Sequence, residues 1–195
     1  MRSGLVGSLI TVGSVIALVG CGAATPPEPA RSSPTQAASP IPPVKNPRDV
    51  SALARRPCDL LTSQQAAGFG LDLPPRQKDG VLGNVDCEWL STTPERQTLR
   101  QVIISTFTNN PTLEIAYDQD RGRPYFELTV ISGYPTLVSR PTADTPDCDI
   151  DVKPAERQSI SISYHSYAFK NNPQQACVVG KQVAAAVLMN LPLKS

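Results

Sequence analysis

Four cysteines, at positions 58, 87, 148 and 177, constrain this chain more than any other feature, because the segment ahead of them sends the chain into an oxidising compartment. Residues 5–19 form an apolar run interrupted only by Ser, Thr and Gly, behind one basic residue, Arg2. A run of about 15 residues is short for a spanning helix, which needs about 20, and suits a signal peptide. In an exported chain, two disulfides are the default for four cysteines. Three pairings are open. Cys58 and Cys87 are separated by 29 residues, as are Cys148 and Cys177. That equal spacing favours two sequence-local bridges, each worth about 3–4 kcal/mol through loop entropy. A metal site of four thiolates is disfavoured, since no two of these cysteines form a CxxC pair.

The fifth cysteine concerns anchoring. Leu18-Val19-Gly20-Cys21 fits the bacterial lipobox, an aliphatic residue followed by small ones and then cysteine. Residues 1–20 therefore read as a lipoprotein signal peptide and Cys21 as the lipidated N-terminus. Diacylglycerol on its sulfur and an acyl chain on the new amine give several buried chains, enough for stable anchoring. The expected location is the extracytoplasmic face of a cell membrane. Residues 21–56 carry proline at 26, 27, 29, 34, 40, 42, 43 and 47 among Ala, Ser and Thr. With so few large apolar side chains the stretch reads as a disordered tether, extending about 3.1 Å per residue in polyproline II form. Residues 57–195 remain as one globular domain, large enough for a real core.

Charge and composition exclude several functions. Lys and Arg number 18 against 17 Asp and Glu, and losing Arg2 with the signal leaves the two equal. Such a domain has no electrostatic footprint for nucleic acid. Histidine occurs once, at 165, which rules out a multi-histidine zinc site or relay. No Gly-rich phosphate loop, metal-helix motif or nucleophile elbow is present, and no cofactor is expected.

Periodicity indicates an α+β domain. A short helix is expected over residues 60–68, with Thr62 as N-cap and Gln65 at the capping-box spacing. A longer helix is expected from an Asn172 cap and Pro173 to about Asn190, its stripe of Cys177, Ala184, Val187, Leu188 and Leu191 facing a core. Between them, residues 99–107, 125–131, 136–139, 148–152 and 159–167 read as strands, with a short helix from Asn110 through Tyr117. The expected architecture is a mainly antiparallel sheet with the short N-terminal and longer C-terminal helices packed on it. The tract after Cys87 (Glu95-Arg96-Gln97, a strand, Asn109-Asn110-Pro111) echoes the tract after Cys148 (Glu156-Arg157-Gln158, a strand, Asn171-Asn172-Pro173). A duplicated ββα unit is one explanation, and a coincidence of turn residues is the other.

Taken in order, Asn46-Pro47-Arg48-Asp49, Pro57-Cys58-Asp59-Leu60-Leu61-Thr62, Gly80-Val81-Leu82-Gly83, Cys87-Glu88-Trp89, Tyr125-Phe126, Gly133-Tyr134-Pro135, Cys148 and Asn172-Pro173 with Cys177 span nearly all the exported chain. On these residues the chain resembles the actinobacterial lipoproteins grouped as the domain of unknown function 3558 family. The resemblance implies an actinobacterial envelope and a shared fold, and no activity. The chain departs from many members in having Gln174-Gln175-Ala176, rather than a second Pro-Cys, before Cys177.

The candidate ligand surface comprises Trp89, Tyr134, Ser161, Ser163, His165 and Tyr167. Alternation in the last strand puts Ile160, Ile162 and Tyr164 on one face and Ser161, Ser163, His165 and Tyr167 on the other. A Ser–His pair would need the hydroxyl within hydrogen-bond reach, and same-strand neighbours two apart project about 7 Å apart. Asp144, Asp147, Asp149 and Asp151 suggest calcium, but the EF-hand glycine and closing glutamate are missing, and a solvated strand face explains the alternation. Trp89 reads as a core residue, with an exposed partner anchor as its alternative. The chain is thus expected to be a non-catalytic envelope lipoprotein that binds an envelope protein, a cell-wall polymer or a small ligand. The alternative is a hydrolase-like enzyme around His165.

Overall fold

The computed structural model describes residues 39–91, 99–110 and 112–194. The signal peptide, Cys21, residues 22–38 and Glu95-Arg96-Gln97 lie outside the described residues. After a 3-10 turn at Pro57–Leu60 the chain forms α1 (Ser63–Gly68), β1 (Arg76–Asp79), β2 (Val85–Leu90), β3 (Arg100–Phe107), α2 (Thr112–Asp120), β4 (Tyr125–Ile131), β5 (Tyr134–Arg140), β6 (Asp147–Ala155), β7 (Gln158–Ser166) and α3 (Gln174–Asn190). The seven strands make one sheet in the order β1-β2-β3-β7-β6-β5-β4, every neighbouring pair antiparallel. The expected α+β class therefore holds, with both helices and both disulfides: Cys58 is bonded to Cys87 and Cys148 to Cys177.

Local chemistry explains several boundaries. Thr62 Oγ1 accepts from the Gln65 amide at 3.2 Å, and Gln65 Oε1 accepts from the Thr62 amide at 2.9 Å, so the capping box forms. The expected cap at Asn172 does not. Pro173 occupies the cap position of α3, in helical conformation and without a side-chain bond, and Gln174 is the first helical residue. The proline ring already fixes the backbone angle the helix start needs, so the cap moves one residue on. β1 and β2 were not legible as separate strands, because β1 is exposed along its whole length and lacks apolar alternation.

Residues paired across antiparallel strands project to the same face, which sorts the sheet into two faces. Cys87, Trp89, Val102, Ile104, Ile162, Tyr164, Ile150, Cys148 and Val138 share the first. This face carries the main core with Leu60, Leu61, Ala66, Val183, Ala184, Val187 and Leu188 of the N-terminal turn, α1 and α3. α3 lies so close that a Cβ on Gly180 would stand 2.5 Å from Ile150 Cδ1 and 3.5 Å from Tyr164 Cβ. The second face carries Leu137, Ser139, Asp149, Asp151, Ser161 and Ser163. Here α2 packs through Leu113 on Leu137, with Ile41, Phe126 and Leu128 around them.

The folded unit begins at Ser39, ahead of the tether boundary expected at residue 56. Val50 is fully buried, and its amide donates to Gln158 Oε1 at 2.9 Å. Main-chain bonds tie Arg48 to Pro154, Asp49 to Pro192 and Lys194 to Pro47. Two aliphatics and a short run of backbone pairing are enough to dock a proline-rich strap that composition alone assigns to the spacer. The internal echo does not amount to a duplicated ββα unit: the β2-β3 and β6-β7 hairpins lie side by side with β3 against β7, and the repeated residues are a coincidence of turns. The helices that follow them pack on opposite faces, so the two tracts do not share one hand.

Candidate functional site

The second face of β6 and β7 pairs acid with polar partner three times in succession. Asp147 faces His165, Asp149 faces Ser163 and Asp151 faces Ser161 in direct register. In the middle pair, Ser163 Oγ donates to Asp149 Oδ1 at 2.9 Å. Asp149 is also bridged by Arg123, whose guanidinium lies 2.9 Å from Asp149 Oδ2 and 2.9 Å from Asp120 Oδ1. Ser139 links the same group, accepting from Arg123 at 3.0 Å and donating to Asp120 Oδ2 at 2.9 Å. One cation is thus shared by two carboxylates, Asp120 at the end of α2 and Asp149 on β6.

Asp151 is different. Among the described residues no cation forms an ion pair with it. Burial pushes its carboxyl up to about 7, and the neighbouring Asp149 and Asp120 add to the rise; a hydrogen bond from Ser161 and the charge of Arg123 oppose it. Asp151 is surrounded by protein yet still reached by solvent, because it lies in a cleft of about 450 Å³ between α2 and the sheet. Phe107 of β3 and Ile115 and Ala116 of α2 form its apolar wall, and Leu82, from the β1–β2 hairpin tip, stands at its edge.

His165 is held by the first pair. Its Nδ1 is hydrogen-bonded to Asp147 Oδ1, and its ring stands edge-on to Tyr167 with centroids 4.5 Å apart at 83°. Asp147 orients the imidazole as a catalytic carboxylate would. No hydroxyl is hydrogen-bonded to the ring among the described residues, and the Ser163 hydrogen is given to Asp149 instead. The arrangement fixes the orientation of the ring.

The six candidate surface residues do not form one surface. Ser161 and Ser163 line the cleft, and His165 and Tyr167 lie beyond it at the strand end. Trp89 and Tyr134 are on the opposite face, 1% and 6% exposed. Trp89 is core and presents no ring to a partner. The Tyr134 hydroxyl donates to the Asn46 carbonyl at 2.8 Å and accepts from Arg48 Nε at 3.1 Å, fastening the N-terminal strap. Of the carboxylates suspected of holding calcium, Asp147 is bonded to His165 and Asp149 to Ser163 and Arg123, and no group of three or more His, Cys, Asp or Glu arranged for a metal occurs among the described residues. Sequence reasoning missed Asp120 and Arg123, for which the only signal was an acid and a base three apart at a helix end.

The fold and cleft define a twice cross-linked α+β module with a polar groove between one helix and its sheet. Residues 16–190 match the family described as protein of unknown function (DUF3558), and the chain belongs to that family. No curated protein and no solved structure matches it.

Proposed function

We propose that this protein is a lipoprotein held by Cys21 on the outer face of an actinobacterial cell membrane, and that it acts by binding a small-molecule, cell-wall or protein partner. The lipobox and the two disulfides support the compartment, since such bridges persist where thiols oxidise. The proline-rich composition of residues 22–38 suits a spacer between the anchor and the module. Confinement at a membrane raises the effective concentration of a tethered binder.

The observation that carries the binding reading is the open cleft beside Asp151, on the same sheet face as a histidine to which no hydroxyl is hydrogen-bonded among the described residues. The second reading, an envelope hydrolase, rests on the Asp147–His165 pair alone. Complementation of a deletion strain separates them. Wild type should partition into detergent with a lipid-modified mass, and Cys21→Ala should not. His165→Ala should complement at normal abundance, whereas joint loss of function in His165→Ala and Asp147→Asn would establish the hydrolase.

A further inference from the structure

The cleft has two properties that belong together only if something occupies it. Its charge is not balanced within the fold: Asp120, Asp149 and Asp151 face a single guanidinium, Arg123, which is committed to the first two. Its rim is apolar and uncovered. Ile115 is 43% exposed and Leu82 is 75% exposed, and both line the same cleft as the unpaired carboxylate. A partly desolvated carboxylate without a cation is unfavourable, and exposed aliphatics around it forgo burial. Water satisfies neither feature well. One ligand chemistry satisfies both, a positive head on an apolar body. Ser161 and Ser163 stand beside Asp151 and Asp149, so hydroxyl oxygens are at hand to accept from a compact, multiply donating group.

We infer that the cleft between α2 and the polar face of the sheet binds a primary amine carrying an apolar chain, with Asp151 as partner of the ammonium, the Ser161 hydroxyl beside it, and Ile115, Phe107 and Leu82 against the chain. This rests on the binding reading above and names its ligand class. Ammonium donates up to three hydrogen bonds as a compact charge, which suits a carboxylate flanked by hydroxyls better than the planar fork of a guanidinium. Binding replaces the missing cation and so favours ionised Asp151. The groups facing Asp151 are Asp149 on its own strand, Ser161 on β7, and Asp120 and Arg123 from α2 and the turn after it. Asp151 is held near neutrality, so the cleft takes the amine better as pH rises and releases a proton when filled.

The test is calorimetric titration of the full chain, in non-ionic detergent, with n-hexylamine and with n-hexanol. Hexylamine should bind saturably at pH 8 and hexanol should not. Affinity should fall roughly tenfold between pH 8 and pH 6, as Asp151 takes up its proton. Asp151→Asn should weaken hexylamine roughly ten- to a hundredfold, the usual worth of a charged hydrogen bond. Ile115→Ser, at an exposed position that leaves folding alone, should weaken hexylamine several-fold. Absence of saturable hexylamine binding, equal binding of hexanol, or unchanged affinity in Asp151→Asn would each overturn the inference. If it fails while His165→Ala still complements, the ligand class is wrong and the binding reading stands. If His165→Ala and Asp147→Asn lose function together, the binding reading itself has failed.

Discussion

Replacing Asp151 by asparagine should stabilise the protein, and by an amount that depends on pH in a way no surface substitution would reproduce. The carboxyl is pushed from 3.8 to about 7 in the folded state. A raised carboxylate affinity for protons means that the native state holds the proton over a range where the unfolded chain has lost it. Stability contributed by that proton is full below pH 4 and is lost as pH rises through about 7. A shift of roughly three units at about 1.4 kcal/mol each gives a ceiling of about 4 kcal/mol above neutrality, and water entering the cleft lowers it. Asparagine keeps the shape and cannot ionise. Urea unfolding under non-reducing conditions should therefore find Asp151→Asn more stable than wild type by about 2–4 kcal/mol at pH 8, and by less than about 1 kcal/mol at pH 4. Comparing the two proteins at each pH cancels every other titrating group. If the variant is less stable at pH 8, or if the difference is the same at both pH values, Asp151 is not a desolvated, unpaired carboxylate and the reasoning about the cleft is wrong.

Converting either cystine to a serine pair should cost about 3.5 kcal/mol, since each closes a loop over a separation of 29 residues; near-equal losses by urea unfolding are expected. Gly180→Ala should destabilise despite alanine's helical advantage of about 1 kcal/mol, because its Cβ would meet Ile150 Cδ1. Adding Ile150→Val, which removes that methyl, should bring the double variant above the sum of the two single changes, and strict additivity would show that α3 does not sit as close as Gly180 permits.

Much of the fold was legible because its signals are local. The Thr62–Gln65 capping box, the apolar stripe of α3, the strand at residues 125–131 and the equal cysteine spacing each depend on residues within one element or one loop. The strap was not legible. Val50 and Ile41 are isolated aliphatics in a proline-rich tract, and their burial depends on Gln158 and Leu137, more than 90 positions away in sequence. The polar face was half legible. Alternation placed Ser161, Ser163 and His165 together, and Asp147, Asp149 and Asp151 together, but it could not say that the two rows oppose each other or that a helix lies over them.

That helix is where it is because of strand order. β3 ends in the middle of the sheet, and the next strand in sequence, β4, lies four places away at the edge and runs in the same sense. A connection between strands of like direction must cross a face, and this one carries α2 over β7, β6 and β5. The first face is already filled by α1, α3 and the N-terminal turn, so the crossover takes the second, polar one. At nine residues, α2 is about 13 Å long and seals its side only around Leu113 and Leu137. Beside that contact the cleft opens, with Asp151 at the floor and Ile115 and Phe107 at the wall. The same ββα order in the second tract ends in α3, which is long, apolar along one side and pinned to β6 by Cys148–Cys177. A long, cross-linked helix after one hairpin thus builds the main core on one face, and a short helix after the other leaves an open charged cleft on its back.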